Sequence, residues 1–373
     1  MPTARRLLVE PAEGGVFHCF SRCVRRAYLC GWDKYSGRDF EHRRDWVRDR
    51  VLELANVFAV DVYAYSVMPN HLHVILGLDL ARARGWTDAE VARRWLTLFP
   101  GPGGKRGQPP DESAILALCQ EPGRVAQCRE RLADLSWFMR CLNEPIARRA
   151  NREDECTGRF WEGRFKCQRL EDEGALLTCM AYVDLNPVRA GMAASPETSP
   201  FTSGQDRTIA ARARRQLAAA PAVPTPAQEP IIAQARAEMG RDRWLVRFRA
   251  EEAISVDFVA PVASELTPAK SACGQRAAKW LSDMKVEDYL KLLDWTGREL
   301  RADKRGRISD DLAPILQRLD LDVAAWVENV ARYGSLFHRL VGKLDRLRAW
   351  ARAKKRHWLH GHRGARLLYA EAT

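Results

Sequence analysis

Apolar residues alternate or recur at helical spacing along the first part of the chain, and these patterns predict its elements. Val60 to Val67 alternates and is rich in Val and Tyr, and Gly15 to Leu29 also has a strand pattern, with arginines on its exposed face. Phe40 to Phe58 carries an apolar stripe at helical spacing, which predicts a helix. The turn Met68–Asn70 is tight, so the apolar run His71–Leu76 should pair with the preceding strand as an antiparallel hairpin.

Three helices and one strand are predicted further along. Thr87 to Phe99 opens with a capping box, and Gln127 to Ala150 has the spacing of one long amphipathic helix. Phe160 to Leu170 is a basic and aromatic strand, and Ala175 to about Leu185 is a helix that Pro187 ends. The order of elements predicts an α+β fold, with a ferredoxin-like antiparallel sheet and helices on one face.

The second half has a different composition. Residues 193–230 are rich in Ala, Pro, Ser and Thr, which is typical of a linker with some local helix. Helix starts are predicted at Thr267-Pro268 and at Ser309, and further helices over Asp322–Tyr333 and Gly334–Arg356. The chain is therefore expected to have an α+β domain over residues 1–192, a linker over 193–230 and a mostly helical, basic domain over 231–373.

Charge narrows the class of partner. The 373 residues carry a net charge of +12, with many paired arginines, which favours a polyanionic partner but does not by itself separate nucleic acid from acidic lipid. No run of eighteen apolar residues and no secretory leader is found, so a cytoplasmic protein without membrane spans is expected. The ten cysteines form no CxxC pair, which favours reduced, mostly buried thiols over a zinc site.

Two histidines stand one residue apart in the predicted hairpin. His71 and His73 should share a strand face with Ile75, and two neighbouring imidazoles make half of a divalent-metal site. The alternative is a polar pair on the solvated face of an edge strand, since two histidines do not complete a metal shell.

A tyrosine and an asparagine are neighbours on the last predicted helix. Tyr182 and Asn186 are four residues apart, so they lie on one face. A tyrosine hydroxyl can act as a nucleophile, and an asparagine carbonyl can bind a hard metal ion. The alternative is a tyrosine packed in the core and an asparagine that caps the helix.

Four segments, taken in order, resemble the HUH-type single-tyrosine transposases, and most of all the REP-associated tyrosine transposases. The resemblance spans about Phe17 to Met192 and rests on FHCFSRCVRRAYLCG, SVMPNHLHVIL, GRFWEGRFK and YVDLNPVRAG. It implies a DNA strand transferase of ferredoxin-like fold, with Tyr182 as nucleophile and Mg²⁺ or Mn²⁺ held by His71, His73 and Asn186. Its substrate would be single-stranded DNA with hairpin ends, nicked and rejoined through a 5′-phosphotyrosine by a monomer or homodimer.

Two other functions remain open: a rolling-circle or conjugative nickase, and a domesticated protein that binds repeat DNA without cutting it. The short motif spacing, the single tyrosine and the LNPVRAG segment argue against the nickase, and the complete set of catalytic residues argues against the non-cutting protein.

DNA contacts are predicted from basic residues, several of them beside aromatic rings. Charges can follow phosphates while rings stack on bases, although the rings of Gly158–Lys166 could instead pack in the core. The residues from Arg339 to Arg366 include ten Lys or Arg and one acid, which suggests a DNA-binding arm or else a solvated helix end. The predicted DNA-binding residues are Arg22, Arg25, Arg159, Trp161, Arg164, Lys166, Arg189, Lys354, Lys355 and Arg356.

Overall fold

A mixed sheet forms the centre of the molecule. The structure, a computed structural model, describes residues 14–24, 28–34, 36–101, 103–105, 108–221, 224–248, 283–300, 313–355 and 361–369. Within them the strands are β1 Gly15–Arg22, β2 Trp32–Asp33, β3 Arg38–Asp39, β4 Val60–Val67, β5 His71–Leu78, β6 Lys166–Leu170 and β7 Leu340–Val341. The main sheet has the order β4-β5-β1-β6-β7 and is antiparallel except for the parallel pair β6–β7. β2 and β3 form a separate two-stranded ribbon.

Helices account for most of the remaining described structure. The helices are α1 Arg43–Val57, α2 Leu80–Gly85, α3 Asp88–Leu98, α4 Glu112–Gln120, α5 Arg124–Leu132, α6 Leu135–Glu153, α7 Glu173–Asp184, α8 Asn186–Arg189, α9 Ser203–Ala218, α10 Glu229–Glu238, α11 Val286–Glu299, α12 Ala313–Arg318, α13 Trp326–Ala331, α14 Tyr333–Leu336, α15 Leu344–Ala353 and α16 His362–Leu368. The predicted α+β class is therefore confirmed. No helix in the described ranges is both long and apolar enough to cross a membrane.

Helices cover both faces of the sheet, whereas the sequence predicted helices on one face. Leu72 and Val74 of β5 pack into the apolar cluster that contains α1 and α6. Ile75 packs into a second cluster, which contains α7 and α11. The reason is that nearly every residue of β4 and β5 is buried, so neither face of these strands can be left to solvent.

The hairpin and its faces agree with the sequence prediction. β4 and β5 are antiparallel neighbours, as the tight turn predicted. The predicted cap of α3 is also present, since the Thr87 hydroxyl accepts the N–H of Glu90 at 3.2 Å. The predicted long helix over 127–150 is divided, because the Asp134 carboxylate accepts the N–H of Trp137 at 2.7 Å and begins α6 there. The predicted strand over 160–170 is regular only over β6.

The predicted linker is largely a packed helix. α9 lies against β4, and its buried Arg207 donates to the backbone carbonyl of Tyr63 at 2.7 Å. At the start of α9, the N–H of Gly204 donates to the buried carboxylate of Asp184 at 2.8 Å. The linker prediction is therefore wrong over Ser203–Ala218, because the alanines that suggested an open segment instead allow a close approach to the sheet.

The C-terminal half is mostly helical where it is described, as predicted, but it is joined to the sheet. β7 extends the sheet beside β6, so the single helix predicted over Gly334–Arg356 is wrong; this range contains the end of α14, then β7 and α15. α13 packs on α7. The predicted helix starts at Thr267-Pro268 and Ser309 lie outside the described residues.

Candidate active site

The two histidines lie on a central strand. β5 has β4 on one side and β1 on the other, so the alternative of a solvated edge strand is wrong. His73 is 4% exposed, and its ring centroid lies 4.9 Å from that of the partly buried His71, with the two planes at 86°. The strand thus holds two imidazoles side by side on the face that α7 covers.

A third histidine and a glutamine extend this pair across the sheet. His18 of β1 and Gln168 of β6 are cross-strand partners and are both buried. The His18 Nε2 atom lies 2.8 Å from His73 Nδ1, and His18 Nδ1 lies 2.7 Å from Gln168 Oε1. The sequence analysis missed both residues, since the alternation in β1 puts His18 on one face without indicating which strands flank it.

All three imidazoles are kept neutral by burial. Burial lowers the pKa of His18 and of His71 to about 4, although the Gln168 hydrogen bond partly raises the pKa of His18. Burial, and then the neighbouring His18, hold the pKa of His73 well below its usual range. Neutral imidazoles keep a lone pair on one ring nitrogen, which is what a metal ligand needs.

One nitrogen of each candidate ligand is available to a metal. His71 Nδ1 is 2.6 Å from the side-chain oxygen of Asn70, so the ring donates from Nδ1 and carries its lone pair on Nε2. The Nε2 atom of His73 is buried and has no hydrogen-bond partner among the described residues. Buried polar atoms without a partner are unusual in folded proteins, so this nitrogen is a candidate ligand atom.

Tyr182 lies beside the histidines. Its ring meets that of His73 edge to face, with centroids 5.6 Å apart and planes at 83°. The Arg189 guanidinium lies 4.7 Å from the tyrosine ring centroid. Burial raises the pKa of the Tyr182 hydroxyl above its usual value, and Arg189 opposes that rise. The tyrosine is only partly buried, so the alternative of a purely core side chain does not describe it.

Asn186 begins α8, whereas Leu185 is the residue that caps α7. The asparagine is 7% exposed and, among the described residues, makes no side-chain hydrogen bond to either histidine. Only Leu185 separates α7 from α8, so Asn186 follows Tyr182 by about one helical turn. Within the described ranges, no group of three or more His, Cys, Asp or Glu side chains is arranged to hold a metal. A metal held by the two histidines would need further ligands, for which the side-chain oxygen of Asn186 is one candidate.

The predicted DNA-binding residues near the sheet are exposed cations and one half-buried ring, that of Trp161, which has two aromatic neighbours in sequence. Phe160 and Phe165 are core residues, so these two rings cannot stack on bases. Trp161 is half-buried and donates its Nε1–H to the carbonyl of Asn143 at 2.9 Å, which favours packing over base stacking. Arg22 forms a loose ion pair with Glu162 at 3.6 Å. The exposed cations of this region are Arg22, Arg159, Arg164, Lys166 and Arg189.

In the basic tail, Lys354 and Lys355 follow the end of α15, and Lys355 is exposed. Arg25 and Arg356 lie outside the described residues. None of the nine cysteines in the described ranges forms a disulfide, and most of them are buried, as the sequence predicted.

Comparison with known proteins gives one distant likeness. No protein-family model matches this chain, and no curated protein sequence matches it. Among solved structures, that of a REP-associated tyrosine transposase bound to a REP hairpin is similar at 15% sequence identity, over 56% of this chain and 86% of that chain, with a TM-score of 0.33. A likeness this distant transfers neither residues nor function, so the geometry of the site has to support the functional conclusion.

Proposed function

We propose that this protein is a metal-dependent DNA strand transferase that cuts and rejoins single-stranded DNA at hairpin ends, with Tyr182 as its nucleophile. The single observation that supports the proposal is the placement of Tyr182 against His73, 5.6 Å between ring centroids, beside a histidine pair with free ring nitrogens. A tyrosine next to two potential metal ligands suits phosphoryl transfer better than it suits a packing role.

The residues present fit a divalent ion. Nε2 of His71 and Nε2 of His73 are the nitrogen ligands we propose, and the side-chain oxygen of Asn186 is a candidate third ligand. Mixed nitrogen and oxygen ligands favour Mn²⁺ in intrinsic preference, while Mg²⁺ is the more available ion. A bound ion would polarise the scissile phosphate and stabilise negative charge on the departing 3′ oxygen.

Tyr182 supplies the covalent step. Its oxygen forms a bond to phosphorus while the bond from phosphorus to the 3′ oxygen breaks, which leaves a 5′-phosphotyrosine and a free 3′-hydroxyl. The phenol proton passes to water and the 3′ oxygen takes up a proton, so the step is balanced. Because burial raises the pKa of the phenol, the Arg189 guanidinium beside the ring has the role of favouring the phenolate.

A labelled hairpin oligonucleotide tests this function. With Mn²⁺, a 3′ label should appear on a protein adduct in a denaturing gel, and a 5′ label should appear on a shortened strand. Tyr182→Phe should give no adduct yet bind the oligonucleotide normally, and Tyr63→Phe, at a buried tyrosine in β4, is the matched control.

An adduct of normal yield from Tyr182→Phe would exclude Tyr182 as the nucleophile. Hairpin binding without any adduct from the wild-type chain would favour the non-cutting DNA-binding protein. Equal cleavage of oligonucleotides with and without the hairpin would favour the rolling-circle or conjugative nickase.

A further inference from the structure

We infer that His18 and Gln168 are positioning residues that fix the tautomer of His73 and so direct its free nitrogen to the metal. The C-terminal half anchors this hydrogen-bonded chain through the backbone carbonyl of Phe337. The inference rests on the proposed function, and it gives the C-terminal half a part in building the active site in addition to any contact with DNA.

The direction of each hydrogen bond follows from its end point. The carbonyl of Phe337 can only accept, so the Gln168 side-chain amide donates to it through Nε2 at 2.7 Å. The Gln168 oxygen is then free to accept, and it lies 2.7 Å from His18 Nδ1. The neutral His18 ring must therefore carry its proton on Nδ1 and its lone pair on Nε2.

The same logic determines the state of His73. His18 Nε2 carries a lone pair and can only accept. The hydrogen bond of 2.8 Å between His18 Nε2 and His73 Nδ1 therefore requires His73 to donate its Nδ1–H. Its lone pair is then on Nε2, the buried atom that has no partner among the described residues. A free neutral imidazole prefers the opposite tautomer, with its proton on Nε2, and that proton would block a metal. Hydrogen bonds to the second nitrogen of a ligating histidine are the usual way in which proteins fix such a ring.

Strand order explains how the hydrogen-bonded side chains of His73, His18 and Gln168 come together across the sheet. β1 lies between β5 and β6, so His73, His18 and Gln168 come from three adjacent strands and point to one face. The rings of His18 and His73 are nearly parallel, with planes at 20°, and their centroid separation of 5.0 Å is the one expected for rings joined edge to edge by this hydrogen bond. A buried network in which each hydrogen bond sets the direction of the next restricts its members to one arrangement.

The anchoring segment also contacts the nucleophile. Tyr333, four residues before Phe337, stacks on Tyr182 with ring centroids 4.8 Å apart. A Cβ atom at Gly334 would lie 3.3 Å from the Tyr182 hydroxyl, so the backbone approaches that oxygen closely. One short segment, residues 333–337, thus lies against Tyr182 and also accepts the first hydrogen bond of the series that leads through Gln168 and His18 to His73.

The tautomers can be observed directly in the full-length, metal-free protein. The chain has eight histidines, so ¹⁵N-histidine labelling with long-range ¹H–¹⁵N spectra can resolve each ring. His18→Gln and His73→Gln assign the signals. We expect the proton on Nδ1 in both His18 and His73. A proton on Nε2 of His73 would overturn the inference.

Metal affinity gives the second measurement, by calorimetric titration with Mn²⁺. His18→Phe keeps an aromatic ring but removes the acceptor, and it should weaken Mn²⁺ binding about 10- to 100-fold. His18→Gln restores an acceptor oxygen near the position of Nε2 and should bind Mn²⁺ close to the wild-type affinity. Wild-type affinity in His18→Phe would overturn the inference, as would an equal loss in both variants.

A further variant covers the case in which His18→Phe does not fold. Gln168→Met keeps the side-chain length but removes both hydrogen bonds, so His18 should show a mixture of tautomers and Mn²⁺ binding should weaken. An unchanged spectrum and affinity in this variant would contradict the role of Gln168. All these measurements are made without DNA, so the inference is tested even if no phosphotyrosine adduct is ever found.

Discussion

The ring of Tyr333 is stacked on the ring of Tyr182, with centroids 4.8 Å apart and planes at 28°. Tyr333 is fully buried and belongs to the C-terminal half, whereas Tyr182 is the candidate nucleophile of the first domain. Residues about 150 positions apart in sequence therefore form one aromatic contact at the site. The environment of Tyr182 therefore depends on both halves of the chain.

This stack should matter for reaction as well as for stability. Tyr333→Ala removes an aromatic contact worth about 0.5–1.5 kcal/mol beyond its buried area and frees the Tyr182 ring to move. We expect slower formation of the covalent adduct in single-turnover assays and a lower unfolding temperature. Tyr333→Phe keeps the stack and should react like the wild type. Equal rates in Tyr333→Ala and wild type would show that the stack does not position the nucleophile.

The histidine pair should bind the metal through two separate nitrogens. His71→Ala and His73→Ala should each abolish cleavage and weaken Mn²⁺ binding in calorimetric titrations, because each removes one of few protein ligands. Asn186→Ala should have a milder effect, since a neutral carbonyl contributes less than an imidazole. His42→Ala is the control, because His42 is exposed and pairs with Glu153 at 2.7 Å. Unchanged Mn²⁺ affinity in both histidine variants would remove the pair from the metal site.

Local patterns predicted the parts of the site that lie close together in sequence. The hairpin turn and strand alternation located His71 and His73 on one face, and helical spacing put Tyr182 near Asn186. His18 and Gln168 were missed because their roles depend on strand order, which a local pattern does not contain. The Phe337 anchor was missed for the same reason: its position follows from the parallel pairing of β6 with β7, across about 170 residues of sequence.

The Arg189 guanidinium should assist the nucleophile. Its charge opposes the rise that burial causes in the pKa of Tyr182, so Arg189→Gln leaves a phenol that is harder to ionise. We expect slower single-turnover cleavage at neutral pH, with DNA saturating. Arg332→Gln removes an exposed arginine that pairs with Glu328 at 2.6 Å and serves as the control. If the two variants cleave equally fast, the charge of Arg189 does not act on the tyrosine.

A buried hydrogen bond joins α11 to α7, the helix that carries Tyr182. The Tyr289 hydroxyl donates to the Asp184 carboxylate at 2.6 Å, and both groups are buried. Tyr289→Phe leaves that carboxylate without one of its donors, which should cost about 1–3 kcal/mol of unfolding free energy. Urea denaturation measures the loss. Tyr28→Phe, at a half-buried tyrosine whose hydroxyl has no hydrogen bond within the described residues, should change stability far less. Equal losses in the two variants would show that the bond to Asp184 contributes little.

The basic tail should bind DNA through its phosphates. Lys354 and Lys355 follow α15, at the end of a segment dominated by Lys and Arg. On a single strand, each phosphate that a cation neutralises adds roughly 0.7 to the slope of log affinity against log salt. If both lysines bind phosphates, the Lys354→Gln, Lys355→Gln double variant should therefore have a slope lower by about 1.4 in a fluorescence titration with a single-stranded oligonucleotide.

Lys285→Gln removes an exposed lysine outside this segment and controls for the general loss of positive charge. Its salt slope should match that of the wild type. Cleavage at saturating DNA should be unchanged in both variants, because the tail lysines are expected to contribute to binding and not to the covalent step. A double variant with the wild-type slope would mean that these lysines form only a solvated helix end. A slope reduced equally by Lys285→Gln would mean that the protein's overall field, rather than the tail, attracts the DNA.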